Sequence, residues 1–378
     1  MALPLPRAAY HASRLGGLVA VAVLMGGCTD GGTTGGAATT PTSPEPCTSP
    51  SPTPTRSTDP PSPDPPAAVT VTVVGDIMLG RAVGTAAAAA GDPSAPLRPM
   101  AERLAAADIT VGNLESTLSD EGVPRQGDDS FTAPPAVLDG LADAGFDVLS
   151  LANNHTGDYG REALRATVDR FAGSGIEPVG AGSDRQAAWQ PVVVERRGVR
   201  VGFLAFNAIG ETWRAGPDSA GAASLHMQPR TGAIVPAELG RLAARVRRLA
   251  GRTDVTIVVP HWGDQYTHEP VLDQRLVGRR LLDAGATVVL GGHPHWVQDV
   301  QRHRGRFVVH SLGNFVFDMD FMRETQEGFV LDLTFRDGRL VATRPTPYVI
   351  GPDFAPRPAR GARARAILAD VDGLALLP

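Results

Sequence analysis

The chain has 378 residues, of which 42% are hydrophobic and 20% are charged, with a formal net charge of −5 and a pI near 6.0. The apolar fraction suffices for a large core, which excludes a disordered chain, and two cysteines are too few for a disulfide-stapled scaffold. The mild negative charge argues against a nucleic-acid-binding protein, because such proteins are usually basic. All 35 Lys and Arg residues are arginine, a bias typical of a GC-rich genome that by itself indicates no mechanism.

The first 27 residues have the pattern of a secretory signal peptide. Arg7 and Arg14 precede an apolar run from Leu15 to Leu24, which is too short to span a bilayer, and small residues follow. Residues 24–28, with the sequence LMGGC, resemble a bacterial lipobox, so we expect Cys28 to carry a lipid. An ordinary signal peptide with a cysteine nearby is the alternative.

Residues 28–67 are rich in Gly, Thr, Ser and Pro and offer little apolar surface to bury. We therefore expect a disordered, partly extended tether in front of a folded domain. Together with the signal peptide, the tether predicts an extracytoplasmic protein anchored to the cell membrane by its lipid, or a secreted protein if Cys28 is unmodified. Cys47 lies within the tether, and no role is predicted for it.

Strand and helix patterns alternate between residues 68 and 352, which is typical of a layered α/β domain. Apolar and β-branched runs predict strands at residues 69–74, 109–111, 147–151, 190–195, 199–206, 256–259, 287–290, 306–311 and 329–335. Apolar residues at helical spacing predict helices at residues 101–107, 136–144, 161–172, 236–249 and 272–284. Residues 353–378 form a tail in which one terminal helix is predicted.

Asp, Glu, Asn and His follow the carboxyl ends of six of these strands. The motifs are Gly75-Asp76, Asn113-Leu114-Glu115, Asn153-Asn154-His155, His261-Trp262-Gly263-Asp264, His293-Pro294-His295 and Gly313-Asn314. Ligands of open α/β sheets bind at this edge, and imidazole combined with carboxylate suits Zn, Mn or Fe. A single histidine at a strand end is usually structural, but six such loops in one chain predict a shared metal site.

These motifs, in this order, resemble the CapA family of capsule and poly-γ-glutamate synthesis proteins, whose domain is similar to the calcineurin-like metallophosphoesterases. The resemblance covers about residues 70 to 350 and implies a four-layer α/β/β/α sandwich. It also implies two metal sites, one formed by Glu115, Asn154, His261 and His293, and the other by Asp76, Glu115 and His295. Met78 stands where the metallophosphoesterases have a further histidine ligand, so the second of these sites lacks one ligand.

The resemblance assigns His155 to protonation of the leaving group. Arg81 is a candidate for binding an anionic group of the substrate through two parallel hydrogen bonds, with a surface ion pair as the alternative. Asp158 is predicted to cap the helix that begins near Arg161 rather than to bind a metal.

The predicted function is that of a metal-dependent hydrolase in capsule or poly-γ-glutamate synthesis or export, acting on a phosphoester or an amide-linked polymer. Its expected cofactors are one or two divalent transition ions, Mn, Zn or Fe. The expected partners are an anionic polymer or phosphoester substrate, the membrane and other capsule-synthesis proteins, and no nucleic acid. The alternative, favoured by Met78 and the tether, is a non-catalytic assembly, export or binding factor for a surface polymer that keeps the metal-binding fold. A solute receptor is disfavoured, since the sequence lacks two similar lobes.

Overall fold

The computed structural model describes residues 68–376, except for the side chains of residues 370, 372, 375 and 376. The predicted signal peptide, the lipid site at Cys28 and the tether lie outside the described residues and stay predictions. Within residues 68–376, no helix combines the length and the apolar character that crossing a membrane requires.

Strands and helices alternate along most of the described chain. The strands are β1 (Ala68–Ile77), β2 (Ile109–Leu114), β3 (Val148–Ser150), β4 (Glu177–Val179), β5 (Ala181–Gly182), β6 (Val192–Arg196), β7 (Val199–Asn207), β8 (Gly221–Ala222), β9 (Val255–His261), β10 (Val288–Leu290), β11 (Val300–His303), β12 (Arg306–Val309), β13 (Asn314–Val316), β14 (Glu327–Arg336), β15 (Arg339–Ile350) and β16 (Pro356–Pro358). The α-helices are α1 (Arg81–Ala89), α2 (Arg98–Ala105), α3 (Val137–Asp143), α4 (Arg161–Asp169), α5 (Arg185–Ala188), α6 (Pro236–Ala250), α7 (Leu272–Asp283) and α8 (Gly361–Leu368). Short 3-10 helices are Gly127–Asp129, Glu324–Gln326 and Ala369–Leu376. Each strand and helix predicted between residues 68 and 352 is present, with bounds that differ by a few residues.

Two large sheets carry the fold. The first has the order β16-β15-β14-β1-β2-β3-β4, with β13 also paired to β1, and the second has the order β11-β12-β10-β9-β7-β6. Strands β1 to β4 are parallel, as are β7, β9, β10 and β12 in the second sheet. Because parallel strands end at the same edge of a sheet, the loops that follow them are brought together there.

The two sheets pack face to face with helices on both outer sides. Successive side chains of a strand point to opposite faces, so Val71 and Val73 of β1 and Ile257 of β9 fill the core between the sheets. Val258, the next residue of β9, packs instead against α6 and α7, while α1, α2 and α3 cover the outer face of the first sheet. This arrangement confirms the predicted four-layer α/β/β/α sandwich.

The chain after residue 352 differs from the predicted single helix. Strand β16 extends the first sheet by pairing with β15, and α8 is followed by a separate 3-10 helix. Ile367, Val371 and Leu374 of these helices pack into the core between the sheets. The segment is therefore an integral part of the packed domain, because its apolar side chains complete that core.

Candidate metal centre

The structure brings together the six side chains that were predicted to bind metal. Asp76 lies near the end of β1, Glu115 directly after β2, Asn154 in the loop after β3, His261 at the end of β9, and His293 and His295 in the loop after β10. None of the six residues is more than 3% exposed. They therefore meet in a buried centre at the carboxyl edge of both sheets.

The ligand atoms form two groups that share Glu115. One group is Glu115, His261 and His293, and the other is Asp76, Glu115 and His295, with the atoms of each group within 4.8 Å of one another. The Nε2 atom of His261 lies 3.4 Å from Oε1 of Glu115. Adjacent ligands of an ion with bonds of about 2.1 Å are roughly 3.0–3.4 Å apart, so this spacing suits a common ion. A shared carboxylate between two triads is the pattern expected for a two-metal centre.

Several buried polar atoms at this centre make no hydrogen bond to any other described residue. Among the described residues, both carboxylate oxygens of Glu115, both ring nitrogens of His293 and Nε2 of His295 are buried without a hydrogen bond. Buried polar groups are nearly always paired, and an unpaired buried carboxylate is costly. Divalent cations would satisfy the oxygens of Glu115, one ring nitrogen of His293 and Nε2 of His295, so the residues present fit a metal centre.

Burial sets the protonation of these ligands. It raises the pKa of Glu115 to about 8, with a further contribution from the charge of Asp76. It lowers the pKa of His261 to about 4 and the pKa of His293 well below its usual value. His261 and His293 are therefore neutral, as metal-binding imidazoles must be, whereas Glu115 must release a proton when a metal binds.

Asparagine side chains hold the ligands in place. Asn113 donates from Nδ2 to Oδ1 of Asp76 at 2.8 Å, and the backbone N–H of His293 donates to the other oxygen of Asp76 at 2.9 Å. Oδ1 of Asn314 lies 2.8 Å from Nδ1 of His295. Since an amide oxygen only accepts, Nδ1 of His295 carries the proton and Nε2 keeps its lone pair for a metal. Both asparagines belong to the motifs read from the sequence, but no role was predicted for them.

Asn154 connects the centre to an acidic residue that the sequence analysis missed. Its Oδ1 lies 2.8 Å from Nε2 of His261, and its Nδ2 donates to Glu211 at 2.8 Å. Glu211 in turn accepts a hydrogen bond from Arg230 at 2.7 Å. The amide oxygen of Asn154 is thereby turned toward the metal ligands. Glu211 lies in an irregular segment between β7 and β8 and belongs to no recognisable motif.

His155 lies beside the shared ligand with its ring firmly held. Its Nδ1 is 2.7 Å from Oδ2 of Asp158, its ring stacks on Phe131 with centroids 3.8 Å apart, and its Nε2 is 3.8 Å from Oε1 of Glu115. Burial alone would lower the pKa of His155, but the hydrogen bond and charge of Asp158, with the charge of Glu115, raise it. The raised pKa favours the protonated imidazole, the form that donation of a proton from Nε2 would use, and the role of His155 stays a prediction.

The predicted capping role of Asp158 is wrong. Helix α4 begins after Gly160, which makes no side-chain cap hydrogen bond. The carboxylate of Asp158 is buried and accepts hydrogen bonds from His155 and from the backbone N–H of Phe131. Asp158 therefore orients the imidazole of His155. A hydrogen bond between a carboxylate and a protonated imidazole is stronger than one between a carboxylate and a backbone N–H at a helix terminus.

Arg81 makes the ion pair that was the alternative to substrate binding. Its Nε lies 3.0 Å and its Nη2 2.5 Å from the two carboxylate oxygens of Asp318. The guanidinium also lies over the ring of Phe131, 4.8 Å from its centroid, and Phe131 stacks on His155. Arg81 therefore contacts Phe131, which in turn contacts His155. A contact between Arg81 and a substrate stays a prediction.

Met78 is fully buried in the core beneath α1 and α2. Its Sδ accepts a hydrogen bond from the backbone N–H of Gly80 at 3.1 Å. A thioether is a poor ligand for a hard divalent ion, and this one is already packed and partnered. Among the described residues, the Asp76 side of the centre thus has three ligands, which agrees with the sequence.

Comparisons of the chain with known proteins identify its family. The model of the family "Bacterial capsule synthesis protein PGA_cap" matches residues 70–319. The capsule biosynthesis protein CapA of Bacillus anthracis is 31% identical over 274 residues, which cover 71% of this chain and 64% of that protein. The PGA biosynthesis protein CapA of Bacillus subtilis (strain 168) is 28% identical over 266 residues, covering 69% and 67% respectively. Among solved structures, a hypothetical protein from Thermus thermophilus aligns with a TM-score of 0.46 and 17% identity over 74% of this chain and 99% of that one.

The four-layer fold and the shared-carboxylate site define a metallophosphoesterase-like domain. The chain belongs to the bacterial capsule synthesis protein PGA_cap family, which confirms the resemblance read from its motifs. The aligned region spans just under two thirds of the Bacillus anthracis relative, at 64% of its length.

Proposed function

We propose that the domain is a metal-dependent hydrolase of capsule or poly-γ-glutamate synthesis that cleaves a phosphoester or an amide-linked anionic polymer. The observation that supports this most directly is the pair of ligand groups sharing Glu115, with buried oxygens and nitrogens that accept or donate no hydrogen bond within residues 68–376. Buried polar atoms with a purely structural role are normally paired with other protein groups. The atoms of this centre named above are not, which suits the binding of cations from solution.

Two divalent ions would share these ligands. Glu115, Asn154, His261 and His293 would hold one ion, and Asp76, Glu115 and His295 would hold the other. The chemistry that such ions supply is Lewis-acid polarisation of the scissile group and activation of a water nucleophile. Asn113 and Asn314 keep the ligands oriented, so that little reorganisation is needed when the ions bind.

His155 is the proposed proton donor to the leaving group. Asp158 holds Nδ1, which leaves Nε2 on the side of Glu115, where a substrate held by the metal ligands would lie. Stacking on Phe131 fixes the ring plane. A general acid held in this way contributes about 10²–10⁴-fold to the rate.

The proposal includes an extracytoplasmic location with the lipid on Cys28 as anchor. It rests on the sequence of residues 1–67 alone. Expression of a Cys28→Ala variant tests it, since the protein should leave the membrane fraction. Retention of the variant in the membrane fraction would contradict the anchor.

Elemental analysis with a hydrolysis screen tests the enzymatic proposal. The purified protein should contain one or two transition ions per chain and should hydrolyse a phosphodiester or a γ-glutamyl peptide. His293→Ala should lose metal and hydrolysis together, while His303→Ala, which removes a histidine paired with Asp283, should lose neither. A protein that stays metal-free after incubation with Mn, Zn and Fe would refute the proposal.

A second candidate, a non-catalytic polymer assembly or export factor, is favoured by the burial of Met78 away from a ligand role. The two candidates differ in what they require of His155. Deletion of the gene should abolish surface polymer in both cases, but a His155→Ala copy should restore it only if the protein acts without catalysis.

A further inference from the structure

A row of arginines lies along the outer face of α6. Arg241, Arg245, Arg248 and Arg252 are spaced by four, three and four residues, which places them on one face of the helix and just past its end. At 1.5 Å per residue the row is about 16 Å long. It is thus longer than any single small anion.

Two cavities follow this row. The first, of about 690 Å³, lies between α6 and the α5 and β8 segments and is lined by Arg185, Arg214, Arg241 and Arg245, among others. The second, of about 420 Å³, is lined by Arg245, Arg248 and Arg252. Trp189 and Arg245 line both cavities, so the two adjoin one another, and we call them together the α6 groove. None of its lining residues belongs to the metal centre.

The charge of the α6 groove is largely uncompensated. Glu238 is the acidic residue in its lining, and it already pairs with Arg214 at 2.6 Å and with His226 at 3.0 Å. Within residues 68–376, neither Arg241 nor Arg245 forms an ion pair with a carboxylate. Burial and the neighbouring arginines lower the pKa of Arg245. Like charges at these spacings repel one another, so an anionic ligand would relieve the strain.

The composition of the helix alone does not explain this groove. Arginines near a helix C-terminus interact favourably with the helix dipole, which accounts for Arg247 and Arg248 in the last turn of α6. It does not account for Arg241, nor for Arg185, which reaches the same cavity from α5. Arginines from separate segments converge on one concave surface, whereas a compositional bias would scatter them.

We propose that the α6 groove binds a linear polycarboxylate at a site separate from the metal centre. Guanidinium groups recognise carboxylates by two parallel hydrogen bonds, and a row of them matches a polymer with regularly repeated carboxylates. The ring of Trp189, with Arg245 over it at 5.1 Å, offers an apolar wall to the methylene groups between those carboxylates. The choice of a polycarboxylate rests on the proposed function, since a poly-γ-glutamate chain has this chemistry.

Binding of labelled poly-γ-glutamate to the full chain tests the proposal. Fluorescence anisotropy at low salt should show saturable binding that weakens as salt rises. Arg241→Glu/Arg245→Glu should lower the affinity at least tenfold, and Arg241→Gln/Arg245→Gln should lower it less. The matched control, Arg247→Glu/Arg279→Glu, makes the same change in net charge at exposed arginines that line neither cavity, and it should keep the affinity within about twofold. Thermal unfolding confirms that each variant is folded.

Three outcomes would overturn the proposal: no binding by the wild type, an equal loss in the groove variant and its control, or equally tight binding of single-stranded DNA of the same charge. The failure of the proposed function is separately visible. His293→Ala should keep polymer binding while losing metal and hydrolysis. Polymer binding by the wild type without any hydrolysis would refute the hydrolase alone. Hydrolysis of a short γ-glutamyl peptide without polymer binding refutes the α6 groove alone.

Discussion

Replacing Glu115 by Gln removes the charge that the two ligand groups share and changes the shape of the side chain little. In the metal-free protein both carboxylate oxygens are fully buried without a hydrogen bond. We therefore expect Glu115→Gln to increase the free energy of unfolding of the metal-free protein. The same change should abolish stabilisation by added metal, because a neutral amide is a poor bridging ligand.

The magnitude follows from the shift in pKa. Burial raises the pKa of Glu115 from 4.5 to about 8, so between these pH values the folded protein holds a proton that the unfolded chain has released. Stability from this group is therefore fully present below pH 4.5 and is lost as the pH rises toward 8. Within that window, each pH unit lowers the free energy of unfolding of the wild type by about 1.4 kcal/mol. At pH 7 the wild type has therefore lost roughly 3 kcal/mol of stability that the variant retains.

Urea denaturation with EDTA at pH 5 and pH 7 measures this difference. The gap between Glu115→Gln and the wild type should be small at pH 5 and large at pH 7. Glu238→Gln is the matched control: hydrogen bonds from Arg214 and His226 outweigh burial and lower the pKa of Glu238, so this substitution should destabilise the protein. A Glu115→Gln protein that is less stable than the wild type at pH 7 in EDTA would refute the reasoning.

Three further predictions concern the same centre. Asn314→Leu removes the acceptor of a ligand histidine and should weaken metal binding by about 10–100-fold in a chelator competition. Tyr348→Phe, which removes only a hydrogen bond to the carbonyl oxygen of Asn314, should leave that affinity unchanged. His155→Ala should keep the metal content measured by elemental analysis while the rate of hydrolysis falls by about 10²–10⁴-fold. Gly292→Ala would place a Cβ 2.4 Å from an oxygen of the aspartate ligand, so isothermal titration should show weakened metal binding with the ligand set intact.

The ligands could be predicted from the sequence because each lies at, or within a few residues of, the carboxyl end of a strand with a strong local pattern. The buried β-branched runs of β1, β9 and β10 identify the strands, and their carboxyl ends identify the loops. Parallel pairing then requires that these loops meet. Only the placement of individual roles needed the family resemblance, above all the bridging role of Glu115.

The residues that orient the ligands could not be predicted, because their partners are distant in sequence. Asn314 meets His295 across 19 positions, and Glu211 meets Asn154 across 57. An asparagine at a strand end has no local feature that distinguishes a ligand from a supporting residue. Such roles depend on the assembled fold rather than on a local pattern.

Strand β15 was missed for a different physical reason. Pro345 and Pro347 lie within it, and proline normally argues against a strand because it cannot donate to the ladder. The carbonyl oxygen of Pro347 accepts from Ala359, on the side away from β14. Backbone groups of residues two apart in a strand point to the same side. Both prolines, which lack an N–H donor, therefore face away from β14, and the hydrogen bonds between β15 and β14 remain intact.

Departures from the ordinary rules of folding coincide at the metal centre. His293 and His295 have positive φ angles of 95° and 58°, a region that residues with a Cβ seldom adopt. The same two side chains and Glu115 contribute five of the buried polar atoms without a partner in the described chain. Backbone strain and unpaired polar atoms each destabilise the fold. Both features are explained if cations bind here. The strained backbone would then hold the imidazoles in position for the ions, and the ions would bind the atoms that lack a hydrogen bond.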